Sequence, residues 1–121
     1  MKHTISWKKY IQKRASEPPR PLLLDAIKIL NCPKIMAIDL GSGTMNDVRF
    51  LLTHFENVTA IDSDKYAKEK ALEIQNKNLK FVFDDIERVV FPDCDLVNAQ
   101  YILPYIENIE ALIEKIHTSL R

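Results

Sequence analysis

The sequence predicts an α/β domain built on a parallel sheet, and three observations support this fold class. Short apolar segments alternate along the chain with longer segments whose apolar residues have helical spacing, the order typical of strand–helix–strand units. The first three apolar segments each lead directly into an aspartate. Both glycines of the 121-residue chain lie in one turn, directly after the first of these segments. This length suits a single domain at the small end for an α/β fold.

The central element is a strand, a turn and a helix within residues 35–55. The apolar run 35–38 predicts a buried strand, and the glycines at 41 and 43 predict a tight turn where a ligand can approach the main chain. The apolar positions with helical spacing after this turn are Val48, Leu51, Leu52 and Phe55. Unpaired N–H groups at the start of a helix suit a carboxylate or a phosphate. We therefore expect a small, partly anionic ligand at the turn.

The other elements follow from the same kinds of pattern. Pro21 suits the first position of a helix that continues to Leu30. The further strands predicted by β-like apolar segments are 58–62, 79–83 and 95–101. A helix that ends near Asn76 is expected after the second strand, and Pro104 begins the last helix. The buried stripe expected on that last helix is Ile106, Ile109, Ile113, Ile116 and Leu120, with Lys115 on the solvent side.

Charge and composition argue against several classes of protein. The chain has 17 basic and 17 acidic residues, so no global field attracts nucleic acid or a membrane surface. The first residues lack the apolar core of a signal peptide and no stretch resembles a membrane span, so a cytoplasmic location is expected. Cys32 and Cys94 are isolated from each other and from histidines, so we expect two buried thiols and neither a metal site nor a disulfide.

The turn after the first strand carries a recognisable motif. Its residues are Asp39, Leu40, Gly41, Ser42 and Gly43. They resemble the first motif of class I S-adenosylmethionine (SAM)-dependent methyltransferases, Asp-x-Gly-x-Gly-x-Gly. The competing dinucleotide fingerprint, Gly-x-Gly-x-x-Gly, has its third glycine at the position of Asn46, which disfavours a nicotinamide-binding domain. Met45 takes the place of the family's third glycine, and its backbone could be left-handed or helical.

A second resemblance lies after the fourth strand. The segment 98–101, followed by 103–106, is similar to small bacterial methyltransferases of the tellurite-resistance type. Together the resemblances imply a Rossmann-like, partial doubly wound parallel sheet in the strand order 3-2-1-4. They also imply a truncated chain that lacks the family's last three strands and leaves the fourth strand with an open edge. Residues 1–20 are then interpreted as an N-terminal arm or lid helix, and residues 21–121 as the SAM-binding domain.

The resemblance gives roles to residues at the strand ends. Gly41, Ser42 and Gly43 are expected to hold the methionine part of SAM, and Asp39 to orient its amino group. Asp62 ends the second strand about 20 residues after the glycines, where an acidic side chain accepts both ribose hydroxyls. The other expected cofactor residues are Ser63 beside the ribose, Asp85 with Ile86 at the adenine, and Asn98. Asp84 remains an alternative to Asp85, and Gln100 and Tyr101 are the candidates on the substrate side.

The function implied is methyl transfer from SAM to an unidentified small-molecule acceptor. Because the sulfonium methyl group is already activated, catalysis is expected to consist chiefly of alignment, and no catalytic base is recognised. The adjacent carboxylates of residues 84 and 85 have no recognisable metal-ligand spacing, so no metal is expected. The alternative is an inactive fragment or a binding-only module that self-associates, with a possible homodimer formed through the open sheet edge.

Overall fold

A computed structural model of the protein describes Lys9 and residues 18–121. The elements in chain order are α1 (Pro21–Ile29), β1 (Met36–Leu40), α2 (Asn46–Leu52), β2 (Asn57–Asp62), α3 (Lys65–Leu72), β3 (Leu79–Phe83), β4 (Leu96–Asn98), a 3-10 helix (Leu103–Tyr105) and α4 (Ile109–Ser119). The predicted lid helix lies almost wholly outside the described residues and stays a prediction. No helix in the described part of the chain is long and apolar enough to cross a membrane.

The strands pair in the order β3-β2-β1-β4, and every pair is parallel. This confirms the predicted fold class and strand order. Neighbouring residues of β1 belong to different apolar cores: Ala37 packs with the core that includes α1, α2 and α3, and Ile38 with the core that includes α4. Since successive side chains of a strand point to opposite faces, these helices cover both sides of the sheet.

The register of the sheet positions polar side chains at its carboxyl edge. Asp39 of β1 lies opposite Ala60 of β2 and opposite Asn98 of β4. Asp62 ends β2 at the same edge. Because β1 and β4 are neighbours although β2 and β3 lie between them in sequence, the edge above β1 is the point where the direction of strand order reverses, the usual place for a ligand in such sheets.

The last helix begins later than predicted. Residues 103–105 around Pro104 form a 3-10 helix, and α4 begins at Ile109. The Asn108 side chain accepts a hydrogen bond from the backbone N–H of Ala111 at 3.1 Å, which satisfies one of the unpaired donors at the start of α4. An N-cap asparagine therefore fixes the beginning of the helix, whereas the proline belongs to the preceding turn.

The buried stripe predicted for this helix is partly wrong. Ile109, Ile113 and Leu120 are 36%, 55% and 43% exposed, whereas Leu112 is only 2% exposed. Ile106 and Ile116 pack on the core as predicted, and Leu112, which the predicted stripe did not include, packs there as well. Leu112 and Ile116 are four positions apart, and so are Ile109 and Ile113, so the sequence allows two apolar stripes with helical spacing. Only the packing of the helix against the sheet selects between these two stripes.

Lys115 does not face the solvent as predicted. Its ammonium group donates to the backbone carbonyls of Ile86 and Val89, each at 2.7 Å, and lies 4.3 Å from the centre of the Phe91 ring. Burial lowers the pKa of Lys115. A long side chain with an apolar stem can cross the edge of a core in this way when its charged end reaches polar partners.

The two cysteines lie in different environments. Cys94 is buried as predicted, but the prediction for Cys32 is wrong, because this residue lies exposed in the loop between α1 and β1. The Cys94 N–H donates to the carbonyl of Ser119 at 2.9 Å, and Arg121 N–H donates to the Cys94 carbonyl at 3.0 Å. The segment after α4 thus runs parallel to the segment that enters β4. A homodimer through the β4 edge stays a prediction.

Met45 combines a strained backbone with a buried side chain. Its φ is 69°, in the left-handed region, and its side chain is fully buried in the core beside α2. We expect Met45→Gly to destabilise the protein by about 1–3 kcal/mol. Relief of the backbone strain returns about 1–2 kcal/mol, whereas loss of a buried methionine side chain costs about 2–5 kcal/mol. Urea unfolding of the two proteins measures the difference, and a glycine variant more stable than the wild type would contradict this balance.

Candidate cofactor-binding site

Two adjoining clefts lie at the carboxyl edge of the sheet. The smaller, of about 50 Å³, lies between the glycine turn, the start of α2 and the end of β4. The larger, of about 280 Å³, lies between the segments that follow β2 and β3 and the segment 100–107. The residues that line both clefts are Arg20, Gly41, Gly43 and Gln100. One elongated ligand could therefore occupy both clefts.

The two glycines of the turn after β1 line both clefts and have left-handed backbone conformations. Gly41 has a φ of 73° and Gly43 a φ of 51°. A Cβ atom on Gly41 would lie 2.7 Å from Cγ2 of Ile102, closer than carbon atoms approach without a shift. The main chain at Gly41 therefore needs both the left-handed conformation and the absence of a side chain. The Ser42 hydroxyl donates to the backbone carbonyl of Asp39 at 3.2 Å, so it is used within the turn.

The smaller cleft holds two carboxylates joined by one amide. Asn98 Nδ2 donates to Asp39 Oδ1 at 2.6 Å and to Asp47 Oδ2 at 3.0 Å, and Gln100 Nε2 donates to Asn98 Oδ1 at 2.9 Å. Burial raises the pKa of Asp39 to about 7, and the nearby charges of Asp47 and Asp62 raise it as well, although the Asn98 bond opposes them. A cationic ligand group placed here would stabilise the ionised carboxylates.

Arg20 brings a positive charge to the same cleft. Its backbone N–H donates to Asp47 Oδ1 at 3.0 Å, and its Nε lies 4.0 Å from Asp47 Oδ2. Its guanidinium lies 4.4 Å from the centre of the Tyr101 ring. Tyr101 is 72% exposed and has a φ of 61°, so it is, after Met45, the second left-handed residue near this edge that is not a glycine. The small cleft thus presents both carboxylates and a guanidinium, which suits a ligand group with charges of both signs.

Asp62 connects the two turns that border the larger cleft. Its Oδ2 accepts from the Gly43 N–H at 3.0 Å and its Oδ1 accepts from the Asp64 N–H at 2.9 Å. Burial raises the pKa of Asp62, with these backbone bonds opposing the shift. Asp64, not Asp62, caps α3, because the Asp64 side chain accepts from the Tyr66 N–H. The Ser63 N–H also bonds to this carboxylate, but a carboxylate has about four acceptor positions, so Asp62 can still accept from a hydroxyl group.

The turn after β3 forms the far wall of the larger cleft. Asp85 and Ile86 line the cleft, whereas Asp84 does not. The Asp84 side chain accepts the Asp85 N–H at 2.7 Å, and Asp85 Oδ1 accepts the Glu87 N–H at 2.8 Å, so both carboxylates also bond within the turn. Ile86 is half-buried and packs against the core on the α4 side of the sheet. Of Asp84 and Asp85, which the sequence left as alternatives, Asp85 is therefore the one that borders the cleft.

Sequence comparison identifies the family. A family model described as a methyltransferase domain matches residues 38–121, which is more than half of the chain. The chain belongs to this family. No curated protein matches the methyltransferase domain with significant sequence similarity.

Solved structures resemble this methyltransferase domain over most of its length. A candidate S-adenosyl-L-methionine-dependent methyltransferase from Methanococcus maripaludis is 18% identical with a TM-score of 0.79, and the match covers 100% of this chain and 63% of that chain. A SAM-dependent methyltransferase from Aquifex aeolicus is 17% identical (TM-score 0.73; 98% and 69% covered). The N-methyltransferase NodS from Bradyrhizobium japonicum, solved with S-adenosyl-L-homocysteine, is 14% identical (TM-score 0.73; 97% and 69% covered). At such low identities the likeness shows the fold alone.

The structure brings all the predicted site residues of this methyltransferase domain to the two clefts. The residues at the smaller cleft are Asp39, Gly41, Ser42, Gly43, Asn98 and Gln100, and those at the larger are Asp62, Ser63, Asp85, Ile86 and Tyr101. Their roles toward a ligand stay predictions. The carboxylates of Asp39 and Asp47 favour a cationic group at the start of α2, whereas Arg20 beside them favours the anionic group that the sequence predicted. Within the described residues, no three potential metal ligands cluster together.

Sequence reasoning missed several residues of the methyltransferase domain that line the clefts. They are Arg20, Asp47, Glu87, Tyr105 and Ile106. Asp47 could have been predicted, because an acidic residue four positions after Gly43 falls in the first turn of α2, next to the glycine turn. Arg20 belongs to the segment interpreted as an arm or lid, but nothing singled it out within that segment, because it lies 19 residues before Asp39 among prolines.

Proposed function

We propose that the domain binds SAM and transfers its methyl group to a small-molecule acceptor. The observation that carries this proposal is the pair of joined clefts, one with charges of both signs and one with a half-buried carboxylate at the end of β2. SAM has the matching two parts, an amino acid end and an adenosine end. The similarity of the fold to that of NodS, which was solved with S-adenosyl-L-homocysteine (SAH), supports the same cofactor.

The smaller cleft fits the amino acid end. The ammonium group would bind beside Asp39 and Asp47, whose carboxylates share the Asn98 amide. The carboxylate would bind toward Arg20, which lines both clefts. A guanidinium and a carboxylate form strong, charge-assisted hydrogen bonds, so this end is expected to fix the orientation of the ligand.

The larger cleft fits the adenosine end. Asp62 would accept hydrogen bonds from the ribose hydroxyls with its remaining acceptor positions, and Ser63 lies next to it at the rim. The Asp85 carboxylate would accept from the amino group of adenine, and Ile86 would contact the face of the ring. A cleft of about 280 Å³ is near the lower end of the volumes usual for small-molecule sites.

The residues near the junction of the clefts would position the reacting groups. SAM supplies an activated methyl group, so the contribution of the protein is to hold the donor and the acceptor in line at short distance. Gln100 lines both clefts, and the exposed Tyr101 ring lies beside it. We propose these two side chains as contacts for the acceptor. We also propose that the domain is of the tellurite-resistance type, on the resemblance of residues 98–101 and 103–106.

Calorimetric titration with SAM, SAH and NADH tests the proposal. We expect SAH and SAM to bind with micromolar dissociation constants and NADH not to bind at the same concentrations. A folded protein that binds none of the three would contradict the proposed function. Binding of SAH but not of SAM would favour a binding-only module, and binding of NADH alone would favour a nicotinamide-binding domain.

A further inference from the structure

One wall of the larger cleft is held by a long-range contact. Glu87 lies in the turn after β3, and its Oε1 and Oε2 accept hydrogen bonds from the backbone N–H groups of Asn108 and Glu107, at 2.8 and 3.1 Å. These N–H groups lower the pKa of Glu87, so its side chain is ionised at neutral pH. The contact joins the turn that carries Asp85 to the segment 103–108, which forms the opposite wall of the cleft.

A second contact holds the same turn from the side of α4. The Arg88 and Val89 N–H groups both donate to the Asp85 carbonyl, at 3.0 and 3.2 Å, so residues 85–89 form one tight turn. The ammonium group of Lys115 donates hydrogen bonds to two backbone carbonyls of this turn, those of Ile86 and Val89, each at 2.7 Å. The turn is thus tied to α4 by Lys115 and to the segment before α4 by Glu87.

The two contacts determine where the base of a bound nucleoside would meet the protein. Asp85 and Ile86 belong to the turn, whereas Tyr105 and Ile106 belong to the opposite wall. The hydrogen bonds of Glu87 join the turn to this wall, and those of Lys115 join the turn to α4, with a direction that apolar packing does not supply. A carboxylate accepts from an amino group but has no donor for a carbonyl, so the position of Asp85 decides between a 6-amino and a 6-oxo purine.

We propose that Glu87 and Lys115 are positioning residues that set the width of the base-binding end of the cleft and thereby its selectivity for a 6-amino purine. The proposal rests on the function proposed above, since it requires that the larger cleft bind the nucleoside part of SAM. Both residues act through the main chain of the turn and of the wall.

The test compares two ligands on four variants of the protein. Glu87→Gln removes one of the two acceptors and the charge, and Lys115→Met keeps the apolar stem but removes the donor. The matched controls are Glu114→Gln on α4 and Lys28→Met on α1, both at exposed positions. The ligands are SAH and its 6-oxo analogue, S-inosylhomocysteine, titrated by calorimetry, with thermal unfolding recorded for each variant.

We expect wild-type protein and controls to prefer SAH, and each positioning variant to lose about tenfold in SAH affinity and most of this preference. A variant that loses affinity for both ligands by the same factor would overturn the proposal, as would unchanged affinities. Wild-type protein that binds neither ligand would instead overturn the proposed function, and this inference with it. Glu87→Gln and Lys115→Met each report on the preference for SAH by themselves. If one of them fails to fold, the other still tests the proposal.

Discussion

Asp39→Asn is expected to make the protein less sensitive to pH and more stable in alkaline solution. The pKa of Asp39 is raised to about 7 in the folded protein, mainly by burial, whereas an unfolded aspartate has a pKa of about 3.9. Between these values the folded state holds a proton that the unfolded state has lost. The contribution of Asp39 to stability is therefore complete below about pH 4 and is lost as the pH rises to about 7.

The size of this effect follows from the proton linkage. Each pH unit in the window costs the wild type up to about 1.4 kcal/mol. The asparagine variant has no such term, so its stability relative to the wild type should increase by about 2–3 kcal/mol between pH 5 and pH 8. Urea unfolding across this range measures the difference, with Asp25→Asn on the exposed side of α1 as the control. Parallel pH profiles for the variant and the wild type would contradict the raised pKa.

The same substitution is expected to weaken cofactor binding. Under the proposed function, Asp39 faces the ammonium group of SAM, and an amide offers that group no charge. Loss of a charge-assisted hydrogen bond costs about 1.5–3 kcal/mol, which corresponds to about ten- to hundredfold in SAH affinity. A variant that is more stable and yet binds less tightly cannot owe the loss of binding to unfolding. Unchanged SAH affinity would remove Asp39 from the proposed site.

Asp62→Ala is expected to have the largest effect on cofactor affinity. The substitution removes the acceptors for the ribose hydroxyls, and two charge-assisted bonds together correspond to at least about hundredfold in affinity. It also leaves the N–H groups of Gly43 and Asp64 without their partner, although the cost of burying the carboxylate, seen in its raised pKa, offsets part of this loss. We expect a loss of stability of about 1–3 kcal/mol.

Calorimetric titration with SAH and urea unfolding measure these two effects. The control is Asn76→Ala, which removes a local hydrogen bond to the Asn78 N–H far from the clefts. This variant should lose some stability and keep its SAH affinity. If Asp62→Ala binds SAH as tightly as the wild type does, then Asp62 serves only to join the two turns, and the ribose contact is wrong.

The sequence predicted the sheet and most of the site because both depend on local patterns. Apolar segments that lead into aspartates predicted the ends of parallel strands, and parallel strands bring their carboxyl ends to one edge. Asp39 and Asp62 were therefore found without knowledge of the packing. The pair of glycines located the turn between them. That Met45 is both left-handed and buried could not be predicted, since the sequence was compatible with either backbone conformation.

The contacts that sequence reasoning missed join distant parts of the chain. Glu87 bonds to residues 20 and 21 positions away, and Lys115 to residues 26 and 29 positions away. No spacing within one helix or strand indicates such contacts. The buried side of α4 was also ambiguous, because Leu112 and Ile113 each belong to an apolar stripe with helical spacing. Only the docking of α4 on the sheet decides between these stripes.

The strand β4 is only three residues long, and its pairing with β1 places the amide of Asn98 beside Asp39. A slip of β4 by one residue against β1 would point Asn98 to the opposite face and place Val97 beside Asp39. A ligand that needs the Asn98 amide next to Asp39 binds only to the correctly paired strand, so binding must stabilise that pairing by mass action. Hydrogen exchange of the β4 amides should therefore slow when the site is occupied, and cofactor concentration would control the integrity of this edge of the sheet.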